Sequence, residues 1–287
     1  ARAKERGIPV FSYIPPSAWA WRKGRAKSCA RVADEIVAIF PHELPPYEAA
    51  GANISFVGNP LIDTVRAEMG EEEARRHFGV TDGEIPVLLM PGSRREEIER
   101  LLPPMLGAAE ILVARDSMRR FFLPVAGGVD TAQIQRHLAA SSVEVTLTHD
   151  ARYALMGIAR AAIAASGTVI MEAAIMGLPA VVLYRMSGLS YLVGRLLVDV
   201  PRFSLPNILL GETFETELLQ DAVQPERIAA AMEDIIADGA ARDYVTEHLA
   251  RAVAVLGEPN AARRVAEKIL ALARSHGRAA DENVQCS

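Results

Sequence analysis

Short apolar runs alternate along the chain with longer stretches in which apolar residues recur at helical spacing. Continuous apolar runs of this length are typical of parallel strands that are buried on both faces. The predicted strands cover residues 9–14, 35–40, 54–57, 87–90, 119–125, 143–147, 161–165 and 180–184. Strands that alternate with helices of about ten residues favour parallel sheets covered on both faces, so we predict an α/β fold.

Helices are predicted between and after these strands. They cover residues 22–31, 41–50, 97–115, 130–140, 150–160, 168–176, 189–198, 225–237, 240–256 and 261–275. Pro103 and Pro104 are expected to bend or interrupt one of these helices, because proline removes a backbone donor. Asp150 is expected to cap the start of another. The tail from Gly277 onward is predicted to be disordered.

The pattern resets near Gly58-Asn59-Pro60, which predicts a boundary between two domains. We assign residues 1–58 to a first domain, 59–256 to a second, and 257–287 to a C-terminal helix and tail. The chain has 287 residues and half of them are hydrophobic, so it is long enough for two domains with cores of ordinary size.

Composition excludes several classes of protein. The net charge of −5 argues against bulk affinity for nucleic acid. The two cysteines, Cys29 and Cys286, lie far apart and suggest no disulfide framework, which fits a reducing cytosol. The sequence has no apolar run of about 18 residues and no recognisable signal peptide, so we expect no membrane span.

Two turns that follow apolar strands carry the candidate chemistry. Pro91-Gly92-Ser93-Arg94-Arg95 follows one strand, and Ser166-Gly167-Thr168 follows another. Each turn opens a helix, and helix N-termini present free N–H groups and a positive dipole end that suit a diphosphate. Glu172 lies one turn inside the second helix, where a carboxylate suits a ribose diol. The chain therefore suggests a nucleotide-sugar site.

Each of these signals also has a structural interpretation. Ser93 and the arginines after it are equally compatible with a helix cap and surface ion pairs to Glu97 and Glu99. Glu172 is compatible with a solvent-facing position on a half-buried helix. Three further residues are candidates to line the binding cleft. Tyr184 and Arg185 lie at the carboxyl end of the predicted strand 180–184, and Asn207 lies in the segment 204–207, which is predicted to be irregular. Alone these three are weak signals, because such residues are common in ordinary turns.

A segment that combines aromatic and basic residues suggests an anionic, amphipathic partner such as a lipid surface or a phosphorylated lipid. Its candidate residues are Trp19, Trp21, Arg22, Lys23 and Arg25. The alternative is tryptophan in the core beside a solvated basic helix. The nearly all-apolar segment 189–198 is likewise either buried or in contact with acyl chains.

Some chemistries are not indicated. The sequence has no phosphate-binding loop of the Gly-x-x-x-x-Gly-Lys-Ser/Thr type. Its six histidines are scattered without ligand spacing, and no Asp-x-Asp pair is present to hold a divalent cation. We therefore predict neither a metal site nor a cofactor.

Taken together, these motifs resemble those of the lipid-A-disaccharide synthases, a family of bacterial glycosyltransferases. The matching stretches are residues 13–22, 56–61, 90–94, Ser166-Gly167-Thr168 with Glu172, 184–186 and 204–220. They occur in the order found in the family and cover residues 9 to about 270.

The resemblance implies a GT-B fold, in which two Rossmann-like domains have parallel sheets, with the N-terminal domain incomplete here. It implies an inverting, metal-independent hexosyltransferase at the cytoplasmic face of the inner membrane, associated peripherally. The donor would be UDP-2,3-diacylglucosamine and the acceptor 2,3-diacylglucosamine 1-phosphate. The products would be UDP and a β-1,6-linked disaccharide that leads to lipid A. A homodimer is left open.

The resemblance assigns Gly92, Ser93, Arg94 and the other candidates after the strands to UDP, and the Trp19–Arg25 segment to acceptor and membrane. The general base is expected in a segment preceding Ala1. Two positions depart from the family pattern: Asn59 stands where histidine is usual, and Glu212 where arginine is usual. The first substitution removes an imidazole and the second reverses a charge.

Two other functions are compatible with the same residues. One is another GT-B enzyme that acts on UDP-N-acetylglucosamine, such as a muramyl-lipid glycosyltransferase or a 2-epimerase. The other is a non-catalytic fragment that binds a UDP-sugar or a lipid.

Overall fold

The structure, a computed structural model, describes residues 2–18, 24–186 and 201–285, and only the backbone of 277–285. The chain forms two compact units. Among the described residues, 2–64 and those from 255 onward form the first unit, and 65–254 form the second. Both units are α/β with parallel sheets, as the sequence predicts.

The first unit contains a parallel three-stranded sheet in the order β1-β2-β3. Its strands are β1 (Phe11–Tyr13), β2 (Glu35–Ala38) and β3 (Ile54–Phe56). Its helices before residue 65 are α1 (Arg2–Glu5), α2 (Gly24–Val32), α3 (Leu44–Glu48) and α4 (Leu61–Thr64), with a 3₁₀ turn at Pro41–Glu43. Tyr47, fully buried in the core of this unit, donates a hydrogen bond from its hydroxyl to the Pro16 carbonyl at 2.7 Å.

The second unit contains a six-stranded, all-parallel sheet in the order β6-β5-β4-β7-β8-β9. Its strands are β4 (Ile85–Met90), β5 (Arg119–Pro124), β6 (Val145–Thr148), β7 (Ala161–Ala165), β8 (Ala180–Tyr184) and β9 (Glu217–Leu219). The strand order runs outward in both directions from the β4–β7 pair. That pair is therefore the topological switch point, where ligands of open parallel sheets bind at the carboxyl ends of the strands.

Helices connect these strands and cover the sheet. They are α5 (Glu71–His77), α6 (Arg95–Arg115), α7 (Thr131–Leu138), α8 (Arg152–Ile158), α9 (Thr168–Ile175), α10 (Leu205–Leu210), α11 (Pro225–Ile236) and α12 (Ala240–Ala254), with a 3₁₀ turn at Gln220–Ala222. At the start of β5, the buried Arg119 makes two hydrogen bonds to the Glu233 carboxylate of α11, at 2.8 and 2.7 Å.

The last helix, α13 (Ala261–Gln285), belongs to the first unit. Arg264 Nε donates to the Val57 carbonyl at 2.7 Å, and Lys268 pairs with Glu35 of β2 at 2.7 Å. Asp63 accepts hydrogen bonds from the backbone where α13 begins. The helix continues to Gln285, across part of the segment for which the sequence predicts disorder.

Pro103 and Pro104 do not interrupt α6, which runs through both residues, so that part of the prediction is wrong. Nine residues of this helix are buried, including Pro104. Their burial offsets the two missing backbone donors.

Two other local predictions need correction. Asp150 does not cap α8: the N-cap is Ala151, in a left-handed conformation with φ of 45°, while Asp150 pairs with His77 at 3.2 Å. The segment after Ser204 is not irregular, because Ser204 is the N-cap of α10. The predicted helix at 189–198 lies outside the described residues.

Candidate functional site

A cavity of about 610 Å³ lies in the second unit, at the carboxyl ends of strands β4 to β7. Its position coincides with the switch point of the sheet. Seven of the ten residues predicted to bind UDP line it: Gly92, Ser93, Arg94, Ser166, Gly167, Thr168 and Glu172. The structure therefore brings the two predicted turns together at one site.

The turn between β4 and α6 already binds an anionic side chain of the protein, that of Glu97. Gly92 has φ of 103°, a conformation that favours glycine, and a side chain there would collide with Glu97. The Glu97 carboxylate accepts hydrogen bonds from the backbone N–H groups of Ser93 and Arg94, at 3.2 and 3.3 Å. Arg94 is the N-cap, and its guanidinium donates to Glu97 at 2.7 Å. This arrangement matches the helix-cap alternative as far as Arg94 and Glu97 are concerned.

The turn between β7 and α9 is different. Strand β7 consists of small, buried residues, and Gly167 begins α9 without a side-chain cap. The first N–H groups of any α-helix lack intrahelical acceptors and lie at the positive end of its dipole. The Ser166 hydroxyl is fixed by a hydrogen bond that it donates to the Phe203 carbonyl, at 2.8 Å. This helix end faces the cavity and is suited to an anion.

Glu172 is buried, with 8% of its surface exposed, so it does not face bulk solvent. One of its carboxylate oxygens pairs with Arg152 Nη2 at 3.3 Å. Arg152 also packs over the Tyr153 ring and donates to the Tyr153 hydroxyl at 2.6 Å. A carboxylate and a guanidinium therefore lie together at the rim of the cavity.

The sequence did not indicate most of the cavity residues that lie outside the two predicted turns. They include Glu68, the loop 124–127 after β5 and residues 148–152 after β6. Thr148 is buried, and its hydroxyl has no hydrogen-bond partner among the described residues. The one feature of the sequence that could have identified the two loops is their position directly after predicted strands.

Three predicted residues are not among those that line the cavity. Tyr184 is half-buried and packs against Phe203, with ring centroids 5.7 Å apart, and Arg185 is exposed. Asn207 is fully buried. Its amide NH₂ donates to the Glu215 carbonyl and the Glu217 carboxylate, and its oxygen accepts two backbone N–H groups. An asparagine amide has no further strong bonds to offer a ligand, which gives Asn207 a structural role.

Asn207 belongs to a buried acidic network that the sequence did not reveal. The Glu217 carboxylate accepts hydrogen bonds from the backbone N–H groups of Phe203 and Ser204, at 3.0 and 2.9 Å. The Ser204 hydroxyl donates to Glu215 at 2.7 Å. Burial raises the pKa of Glu215 to about 8, and the charge of Glu217 adds to the shift. The network holds Phe203, whose carbonyl positions Ser166.

The two departures from the family pattern have structural partners. Asn59 is fully buried, donates to the Ile39 carbonyl at 2.9 Å and accepts the Leu61 N–H at the start of α4. Glu212 pairs with Arg251 of α12 at 3.2 Å. Both side chains therefore act within their own unit.

The proposed lipid-contact segment is only partly described. Trp19, Trp21, Arg22 and Lys23 lie outside the described residues. Arg25 lies half-buried in α2, and its charge acts on the buried Tyr47 hydroxyl. No described helix is long and apolar enough to cross a bilayer. Within the same described ranges, no cluster of three histidine, cysteine or acidic residues could hold a metal ion.

Comparison with solved structures identifies the type of fold. Two solved structures share the fold at low identity. The UDP-GlcNAc 2-epimerase from Neisseria meningitidis bound to UDP-GlcNAc has a TM-score of 0.64 at 15% identity, over 93% of this chain and 71% of that one. MurG from Acinetobacter baumannii has a TM-score of 0.56 at 18% identity, over 93% of this chain and 68% of that one. The predicted GT-B type of fold is confirmed.

Sequence relatives are more specific. The family model described as lipid-A-disaccharide synthetase matches residues 1–271. A lipid-A-disaccharide synthase from Syntrophus aciditrophicus (strain SB) is 42% identical over 271 residues, which cover 94% of this chain and 71% of the relative. The chain therefore belongs to the lipid-A-disaccharide synthase family, as its motifs predict.

Proposed function

We propose that this protein transfers 2,3-diacylglucosamine from its UDP donor to 2,3-diacylglucosamine 1-phosphate. The products are a β-1,6-linked disaccharide and UDP. Membership of the family supports this reaction, and the cavity at the switch point of the second sheet supports a nucleotide-sugar donor. A protein of similar fold is described as bound to UDP-GlcNAc, which supports the same class of ligand here.

The observation that carries the proposal is the pairing of an uncapped helix N-terminus with a buried carboxylate at one cavity. The N–H groups after Gly167 and the Thr168 hydroxyl bind the diphosphate, while the Ser166 hydroxyl stays bonded to the Phe203 carbonyl and fixes the turn. Glu172 accepts hydrogen bonds from the ribose hydroxyls. Arg152, which pairs with Glu172, orients that carboxylate.

The reaction inverts the configuration at the anomeric carbon. The acceptor 6-hydroxyl attacks that carbon from the face opposite the UDP, loses its proton to a base, and the bond to the diphosphate oxygen breaks. Negative charge grows on the departing diphosphate during this step. The fixed N–H groups of α9 and the Arg94 guanidinium stabilise that charge, which is where electrostatic catalysis is most effective.

The second part of the proposal concerns the lipid. The acceptor and the membrane surface contact the segment of Trp19, Trp21, Arg22, Lys23 and Arg25, so the protein works peripherally at the cytoplasmic face of the inner membrane. Replacement of Arg22, Lys23 and Arg25 together by alanine should reduce sedimentation with anionic liposomes, and the difference should be largest at low salt. Equal sedimentation of both proteins would contradict this role.

Calorimetry with UDP tests the donor site. Glu172→Ala should weaken UDP binding by about 1.5–3 kcal/mol, the usual worth of hydrogen bonds to a charged group. Glu226→Gln, an exposed acid on α11, is the control and should bind UDP like the wild type. Thermal unfolding of each variant verifies that it is folded. An unchanged dissociation constant for Glu172→Ala would remove the ribose role.

Competition with sugar nucleotides tests the substrate class. UDP-2,3-diacylglucosamine should displace UDP at lower concentration than UDP-N-acetylglucosamine does, and disaccharide should form when the acceptor is added. Equal competition by the unacylated sugar would favour another GT-B enzyme. Tight donor binding without disaccharide formation would favour a binding protein.

A further inference from the structure

The two helix N-termini at the cavity differ in one respect. Glu97 lies at the third position of α6, lines the cavity and has a side chain that is 28% exposed. Its carboxylate accepts both N–H groups of the turn, from Ser93 and Arg94, and the Arg94 guanidinium as well. These three donors are the ones that a phosphate at this turn would use. At α9, by contrast, no side chain caps the helix.

The wall of the cavity also contains an unpartnered polar group that is independent of the helix ends. Thr148 lines it from the end of β6, and its residue surface is only 7% exposed. Its hydroxyl has no partner within the described part of the chain. Buried hydroxyl groups are normally hydrogen-bonded, so the Thr148 hydroxyl has unused hydrogen-bonding capacity beside the cavity.

We propose that Glu97 is an internal anion that a phosphate group must displace, and that it thereby sets the preference of the site for ligands of different charge. This inference rests on the proposed function of the same cavity. A first phosphate binds at the N-terminus of α9, where no side chain caps the backbone N–H groups. A second phosphate that reaches α6 replaces the Glu97 carboxylate on the Ser93 and Arg94 N–H groups.

The contacts of Glu97 make this displacement feasible. The Arg94 side chain is 81% exposed, and ion pairs at such exposure contribute little to stability. Gly92 has no side chain, and the Glu97 carboxylate occupies the space that a side chain would fill. A phosphate oxygen that binds over Gly92 needs the same space, so the two cannot be there together. A flexible glutamate can leave that space by rotating its side chain, whereas the backbone donors stay in place.

Glu97→Gln isolates the charge. Glutamine at the third helical position still accepts hydrogen bonds from the turn, so the cap is retained while the negative charge is lost. Affinities for uridine, UMP and UDP should be measured by calorimetry on the full chain. Removal of a carboxylate next to the diphosphate should raise UDP affinity about tenfold, with a smaller gain for UMP and none for uridine. The gain for UDP should shrink at high salt.

Glu96→Gln is the matched control, since Glu96 precedes Glu97 on the same helix but is 81% exposed and pairs with Arg100. It should leave all three affinities unchanged. UDP affinity that is unchanged or lower in Glu97→Gln would overturn the inference, as would an equal gain for uridine. Wild-type protein that fails to bind UDP would instead refute the proposed function, so the two failures are distinguishable.

Discussion

Glu215 should make the protein less stable as the pH rises, and Glu215→Gln should remove that dependence. The carboxyl group is buried beside Glu217, and its pKa rises from 4.5 to about 8. In the unfolded chain the group ionises near its ordinary value. Between about pH 4.5 and about pH 8 the folded state therefore holds more protons, and the free energy of unfolding falls as the pH increases.

The magnitude follows from the size of the shift. One pKa unit corresponds to about 1.4 kcal/mol, so the full effect is about 5 kcal/mol once the pH exceeds both values. Between about pH 5.5 and about pH 8.5 the expected loss is about 3 kcal/mol. Glutamine fits the same contacts, because its amide can donate to the Ser204 hydroxyl and its oxygen can accept the Ala180 N–H that now meets Glu215.

Urea denaturation at several pH values measures the effect. Other groups also titrate, so the informative quantity is the difference in unfolding free energy between wild type and Glu215→Gln at each pH. That difference should grow in favour of the variant by about 3 kcal/mol from about pH 5.5 to about pH 8.5. A difference that is constant with pH would mean that the buried acid does not titrate in this range, and the reasoning from its burial would be wrong.

Two further predictions concern stability. Glu233→Gln should lower the free energy of unfolding by about 2–3 kcal/mol in urea denaturation, because the buried Arg119 guanidinium loses the carboxylate that accepts its two short hydrogen bonds and keeps only Asp116, at 3.8 Å, as an acidic partner. The exposed Glu96→Gln should cost less than about 0.5 kcal/mol. Equal costs would contradict the role of burial. Tyr47→Phe should cost about 1 kcal/mol, because the Pro16 carbonyl loses its donor, and an unchanged midpoint would show that water replaces it.

Much of the second unit could be predicted because its inner strands β4, β7 and β8 are buried over almost their whole length. Strands β7 and β8 match the predicted bounds at residues 161–165 and 180–184, since unbroken apolar runs end there at turn residues. The meeting of the Gly92 and Ser166 turns was also predictable, because parallel strands place their carboxyl ends at one edge.

The remaining features depend on long-range contacts that leave little local trace. The pairing of Arg152 with Glu172 depends on which strands are neighbours, and the local sequence does not determine strand order. Asn207 looks the same in sequence whether it meets a ligand or the protein, and only the fold brings Glu215 and Glu217 against it. Strand β9 was not predicted, because Leu218 and Leu219 lie between Glu217 and Gln220 and form no longer apolar run.

The return of α13 to the first unit determines the order in which the protein can fold on the ribosome. Lys268 and Glu35 meet across 233 positions of sequence, so the sheet of the first unit cannot pack against α13 until residues 65–254 have been synthesised. Residues 65–254, in contrast, emerge as one uninterrupted stretch that contains every strand of the larger sheet. During synthesis, every strand of the second unit is therefore available before α13 can complete the first unit.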